Sequence, residues 1–171
     1  MTFDRAYYDA IWPGQGVHRH DYCESLAASL AAQYAVRFAS YKHRSILDIG
    51  TGCGYLVNLL RARGFVAYGA EKSIYALENC CAPGFVIYGE VIGLPFRDGM
   101  FELVHSQGMW EYVPEWEVPY GIIECKRVGR IQHHTIDTSE CSILPEHQMV
   151  TVRPQAWWDE QFERANLSCV P

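Results

Sequence analysis

The chain has 171 residues, 49% of them apolar and 20% charged, and a net charge of −6. That length and apolar content suit one globular domain and exclude a disordered chain, and the acidic balance argues against a broad basic face for nucleic acid. No apolar stretch runs uninterrupted for a membrane span; the nearest, Leu26–Ala39, is broken by Ser29, Gln33 and Arg37.

Seven cysteines stand at Cys23, Cys53, Cys80, Cys81, Cys125, Cys141 and Cys169, with no C-x-x-C pair. The odd count and the lack of a secretory leader lead us to expect reduced thiols in a cytoplasmic protein.

Met1–Tyr22 is aromatic and irregular. Within it, Tyr7–Trp12 suits a short helix or a lid strip, either covering a site or packed outside the sheet. Asp21–Ala39 predicts a helix, with Leu26, Leu30, Ala31, Tyr34 and Phe38 at helical spacing. Residues 1–43 are thus an arm and helix over the site, and 44–171 are the core of a single domain.

Ser45–Gly50 is a short apolar run ending on glycine, which predicts a buried strand. Gly50, Gly52 and Gly54 form a tight turn, and Tyr55–Arg63 predicts a helix stopped by Gly64. Such a turn lets backbone approach a ligand and offers it free N–H groups. A second apolar run, Phe65–Ala70, ends on Glu71, at the spacing of an acid that accepts from both ribose hydroxyls. A helix follows over Ser73–Cys80, then strands at Phe85–Tyr88 and Phe101–His105 around the loop Gly93–Met100. Tyr120–Arg127 predicts a helix, Arg130–Ile136 a fifth strand, and Pro154–Ala165 a last helix.

Alternating strands and helices predict an α/β fold: three layers, doubly wound, around a mainly parallel sheet. Ligands bind such sheets beyond the strand C-terminal ends, where Gly50–Gly54, Glu71, Glu90 and His105–Ser106 fall.

Two families share this plan. Dinucleotide-binding domains require a third glycine where this chain has Leu56. The run LDIGTGCGY instead resembles the first motif of class I S-adenosylmethionine-dependent methyltransferases. Glu71-Lys-Ser73 resembles that family's acidic-x-Ser, and Gly89–Phe96 its G-D-A-x-x-L-P-F segment. Phe101–Ser106 resembles its F-D-L-V strand, and Trp110–Val113 its L-E-H-V.

The resemblance implies a Rossmann-like fold and S-adenosylmethionine as cofactor, with S-adenosylhomocysteine as product. It places Asp48, Gly50, Thr51, Gly52, Gly54, Glu71, Lys72, Glu90, Val91 and Ser106 at the cofactor. Asp48 would fix the glycine loop and methionine end, Glu71 the ribose, and Glu90 and Val91 the adenine. The family closes its sheet with a C-terminal hairpin. Here Met149–Val152 would substitute for it, or the edge stays open for a second copy or another chain.

The methyl of that cofactor is already activated, so no fixed catalytic residue is required. His105, at its strand end, is the candidate general base, against a bland reading as a hydrogen-bonded strand histidine. Tyr8, His20, Trp110, Tyr112 and His134 are candidates for a pocket around a small-molecule oxygen or nitrogen acceptor. His133 and His134 point to opposite faces and share no ligand spacing with a carboxylate or thiol, so no metal site is expected. The tract Ser106–Glu111 lacks the Asn/Asp-Pro-Pro-aromatic signature of base-amine and glutamine methylation, and no Pro-Cys follows the fourth strand. The alternatives are a methyltransferase-like partner subunit with little catalysis of its own and a nicotinamide-dependent reductase.

Overall fold

The computed structural model describes residues 3–11, 24–30, 32, 45–138 and 149–167. Five parallel strands run in the order β3-β2-β1-β4-β5. They are β1 (Ser45–Ile49), β2 (Val66–Glu71), β3 (Val86–Tyr88), β4 (Phe101–Gln107) and β5 (Gly129–Thr135). The helices are α1 (Arg5–Ile11), α2 (24–30), α3 (Tyr55–Ala62), α4 (Ile74–Glu78), α5 (Val118–Val128) and α6 (Gln155–Leu167). The doubly wound, mainly parallel sheet expected from the sequence is what forms.

Alternation along β1 and β4 builds the layers. Ile46 and Leu103 pack with Leu56, Val57 and Leu60 of α3 and with Ala27 and Leu30 of α2. Leu47 and Val104 face the other way, onto Ile122 and Cys125 of α5 and Trp158 of α6. Both faces of the central strands are covered, which is why every residue of β1 is buried. A smaller cluster lies apart from both. Tyr7 and Tyr8 of α1 pack there with Cys53 and Ala76, against Phe3 and Tyr112.

Local chemistry sets the helix ends. Gly54 enters α3 in the left-handed region, at φ 74, and Gly64 leaves it at φ 86. The Ser73 hydroxyl accepts from the Ala76 N–H and caps α4. The helix predicted over Asp21–Ala39 is present at residues 24–30 and 32, and its remainder lies outside the described residues.

Two expectations are corrected here. β4 runs two residues beyond His105, so that histidine lies inside the strand and not at its end. Met149–Val152 does not add a strand. The Val150 and Thr151 N–H groups donate to the Glu111 carbonyl, and the Thr151 hydroxyl donates to the Val113 carbonyl. The segment is thus spent on the turn after β4. Among the described residues, β5 and β3 are the sheet's open edges.

The loop from Leu94 to Asp98 hangs on one side chain. All five N–H donors of Arg127 are used: Nε and Nη2 on the Glu124 carboxylate, Nη1 on Asp98 and the Phe96 carbonyl, and Nη2 also on the Leu94 carbonyl. Lysine keeps the charge but not the planar fork. Arg127→Lys is expected to lose both carbonyl bonds and about 1–2 kcal/mol of stability, read by urea unfolding.

No helix among the described residues is long and apolar enough to cross a membrane.

Candidate functional site

The C-terminal ends of β1, β2 and β4, with the turn after β3, open into a single cleft. It holds a cavity of about 170 Å³ that opens to solvent. The glycine turn forms one wall. A Cβ on Gly50 would stand 2.7 Å from Met109 Cγ, so only glycine lets the turn pass beneath the end of β4.

Glu71 is the electrostatic centre of this wall. Its Oε2 accepts from the Gly52 N–H at 2.7 Å and its Oε1 from the Ser73 N–H at 2.7 Å. The carboxylate is 6% exposed, and burial raises its pKa while the backbone N–H donors pull it back down. Each oxygen has a further lone pair for a ligand hydroxyl. Beside it, the buried Thr51 Oγ1 has no hydrogen-bond partner among the described residues. A buried hydroxyl is rarely left so unless a ligand completes it.

Farther along the cleft, Gly89, Glu90 and Val91 form the wall beyond β3. Glu90 is exposed and accepts from the Tyr88 hydroxyl at 2.8 Å. Lys72 Nζ stands 5.0 Å from the Phe3 ring centroid. Phe3, Tyr7 and Tyr8 close the cleft from the N-terminal side. They are latched there by the Ser73 hydroxyl, which donates to the Phe3 carbonyl. Edge-to-face contacts join Phe3 and Tyr7 to Tyr112. Burial raises both the Tyr7 and Tyr8 hydroxyls.

Of the residues singled out in the sequence, Gly50, Thr51, Gly52, Glu71, Lys72, Glu90, Val91, Tyr8 and Tyr112 meet on this cleft. Others do not. Gly54 is behind it, where a Cβ would come 2.6 Å from Val86 Cγ2; its lack of a side chain serves packing against β3. Asp48 lies under the glycine turn, its Oδ1 at 2.7 Å from His105 Nδ1. The two face each other in register across β1 and β4.

His105 is 1% exposed and absent from the cleft wall, because the strand continues past it to Gln107, Gly108 and Met109. Its placement gives it a carboxylate partner but no access to the cleft. Ser106 is fully buried and its Oγ is 2.8 Å from His134 Nδ1. His134 itself stacks on Phe162, and burial holds its pKa down to about 3. Trp110 is fully buried against Trp158 and Phe162, in the core and not in a pocket. His20 lies outside the described residues.

Sequence reasoning missed Tyr7, Gln107, Met109 and Glu117 on the wall and Glu111 just behind it. The two extra residues of β4 move the cleft past His105, and nothing local to Phe101–His105 signals that continuation. Among the described residues, no group of three His, Cys, Asp or Glu side chains is arranged to hold a metal ion.

The sequence profile described as a methyltransferase domain matches residues 47–132. A Mycobacterium marinum protein described as an uncharacterized methyltransferase is 27% identical over 101 residues, covering 56% of this chain and 40% of that protein. One similar solved structure is described as a methyltransferase from an antibiotic biosynthesis pathway of Anabaena variabilis. It superposes with a TM-score of 0.62 at 18% identity, covering 81% of this chain and 60% of that one. Another is a complex of the Haloferax volcanii Trm112 methyltransferase activator with a methyltransferase. It gives 0.59 at 19% identity and covers 84% of this chain and 75% of that one. At such identities the solved structures speak for the fold alone. The chain spans 40% of the curated relative it matches and 60% of the first of these structures.

Proposed function

Because the chain belongs to the methyltransferase domain family, we propose that it is an S-adenosylmethionine-dependent enzyme that methylates an oxygen or nitrogen of a small molecule. The observation that carries this reading is Glu71, a buried carboxylate fixed by two backbone N–H groups at the end of β2, beside a glycine turn. It is set to accept hydrogen bonds from a ribose diol. The cofactor, when bound, supplies a methyl group already activated on a sulfonium.

The chain then has to bind, orient and exclude water. Glu71 holds the ribose. Gly50, Thr51 and Gly52 border the methionine end, and the Thr51 hydroxyl gains a partner there. Glu90 and Val91 border the adenine. Asp48, tied to His105, supports the turn from below. Phe3, Tyr7 and Tyr8 of the N-terminal arm shield the cleft from solvent, and Tyr8 and Tyr112 face the acceptor. Leu56 is buried in α3 where a dinucleotide fingerprint needs glycine, which speaks against nicotinamide chemistry. The thiols of Cys53, Cys80, Cys81 and Cys125 are free, in keeping with a cytoplasmic protein.

A second reading has this chain act with a partner, or as a pair of copies. It is favoured by the outer edge of β3, which no strand among the described residues covers and where Tyr88 is 52% exposed, and by a neighbour solved with an activator.

Titration calorimetry with S-adenosylhomocysteine, with NADH in a parallel cell, tests the main reading. Micromolar binding of the first alone is expected, worth about 8 kcal/mol. Binding of NADH alone overturns it, and binding of neither moves the case to the partner reading.

A further inference from the structure

Three thiols gather behind the glycine turn, and the reading above uses none of them. Cys53 belongs to the turn itself, between Gly52 and Gly54. It is 3% exposed and packs with Tyr7, Tyr8 and Ala76. Cys80 and Cys81 come just after α4 and are half-buried.

Two contacts bring Cys81 onto Cys53. The Cys81 N–H donates to the Cys53 carbonyl at 2.9 Å, and the Cys81 thiol donates to the same oxygen at 3.2 Å. A backbone bond of that length keeps the two α-carbons within about 6.5 Å of each other, inside the roughly 4.4–6.8 Å that a disulfide spans. The Cys81 sulfur already stands beside the residue it would bond. Cys80 is turned otherwise. Its sulfur accepts from the Ala82 N–H at 3.3 Å and lies 3.2 Å from where a Cβ on Gly54 would be. Redox-sensing thiols are partly exposed and stand next to a second thiol that resolves them. Disulfides of cytoplasmic proteins are mostly of this transient kind.

We propose that Cys53 and Cys81 are an oxidation site: a peroxide joins them as a disulfide, which distorts the glycine turn and weakens cofactor binding. The effect on the cofactor rests on the methyl-donor reading of the cleft; the disulfide itself does not. The Cys81 sulfur attacks one peroxide oxygen, the O–O bond breaks, and the departing hydroxide takes the thiol proton as water. The Cys53 sulfur then attacks the sulfenic sulfur of Cys81. The S–O bond breaks, and a second water leaves with the Cys53 proton. Two thiols thus give up two electrons and two protons, and the peroxide is reduced to two waters. Burial raises both thiols, Cys53 to about 12. Few thiolates form at neutrality, so the pair stays reduced until peroxide is sustained.

The turn has little slack to absorb the new bond. Gly52 and Gly54 are both in the left-handed region, at φ 59 and 74. A Cβ on Gly54 would lie 2.6 Å from Val86 Cγ2, so the turn cannot slide toward β3. Drawing the Cys53 sulfur to Cys81 takes it away from Tyr8. It also pulls on Gly52, whose N–H holds Glu71 at 2.7 Å.

The test measures S-adenosylhomocysteine affinity by calorimetry and maps disulfides by mass spectrometry, before and after hydrogen peroxide. A Cys53–Cys81 disulfide is expected, with roughly tenfold weaker binding, and dithiothreitol is expected to reverse both. Oxidation of Met109 on the cleft wall is set apart by that reversal, since dithiothreitol does not restore a sulfoxide. Cys81→Ser is expected to bind like wild type and to keep its affinity after peroxide, whereas Cys80→Ser should lose it as wild type does. No Cys53–Cys81 disulfide, a disulfide with unchanged affinity, or a Cys81→Ser protein as sensitive as wild type overturns the proposal. If reduced wild type fails to bind S-adenosylhomocysteine, the donor reading falls, and the disulfide map alone supports or overturns the oxidation site.

Discussion

Glu71→Ala is expected to lose at least a hundredfold in S-adenosylhomocysteine affinity and to be less stable than wild type. Two effects add. Each hydrogen bond from a ribose hydroxyl to an ionised carboxylate is worth about 1.5–3 kcal/mol, and two are lost. The Gly52 and Ser73 N–H groups also lose the oxygens that hold them at 2.7 Å, so the glycine turn is no longer tied to β2. Glutamine is not a rescue, because its NH2 would face one of these N–H donors. Calorimetry reads the affinity and urea unfolding the stability. Unchanged affinity would remove Glu71 from the ribose.

Trp110→Ala should lower stability by about 3–5 kcal/mol, a large share of the roughly 5–15 kcal/mol that holds a domain together. The indole is fully buried and meets Trp158 and Phe162 edge to face. Gly121 of α5 has no room for a side chain beside it: a Cβ there would lie 3.1 Å from Trp110 Cζ3. The cavity left behind cannot easily collapse between a sheet and two helices. Tyr112→Ala, two residues on, is the control: it lines the cleft and is half-buried, so its stability loss should be smaller. Equal losses in the two variants, or a Trp110→Ala domain as stable as wild type, would return Trp110 to the pocket.

Much of the fold was legible because its signals are local. The run Ser45–Ile49 is short, apolar and bounded by glycine. Glu71 comes one helix and one strand later, and Ser73 caps the next helix with its own hydroxyl. Each depends on residues within a turn or a strand of one another, so spacing alone places them. One wall of the cleft was legible for the same reason, since Gly50, Thr51, Gly52, Glu71, Glu90 and Val91 all sit at or just past strand ends whose positions the pattern sets.

The side of the cleft beyond β4 was not legible, for a physical reason that His105, Trp110 and Glu111 share. Whether β4 stops at His105 or runs to Gln107 depends on backbone bonds from β5, a partner about thirty residues away. That pairing draws His105 beneath the cleft onto Asp48 and brings Gln107 to its wall. Trp110 and Glu111 are neighbours in one turn. Trp110 enters the core because α6 returns to cover it, and Glu111 comes to lie behind the tyrosines of α1. Spacing along the chain was enough to lay out the glycine turn, the buried acid at the end of β2 and the segment beyond β3, in that order. Which side chains line the cleft beyond β4 was decided only by the tertiary fold, because that depends on contacts between segments far apart in the chain.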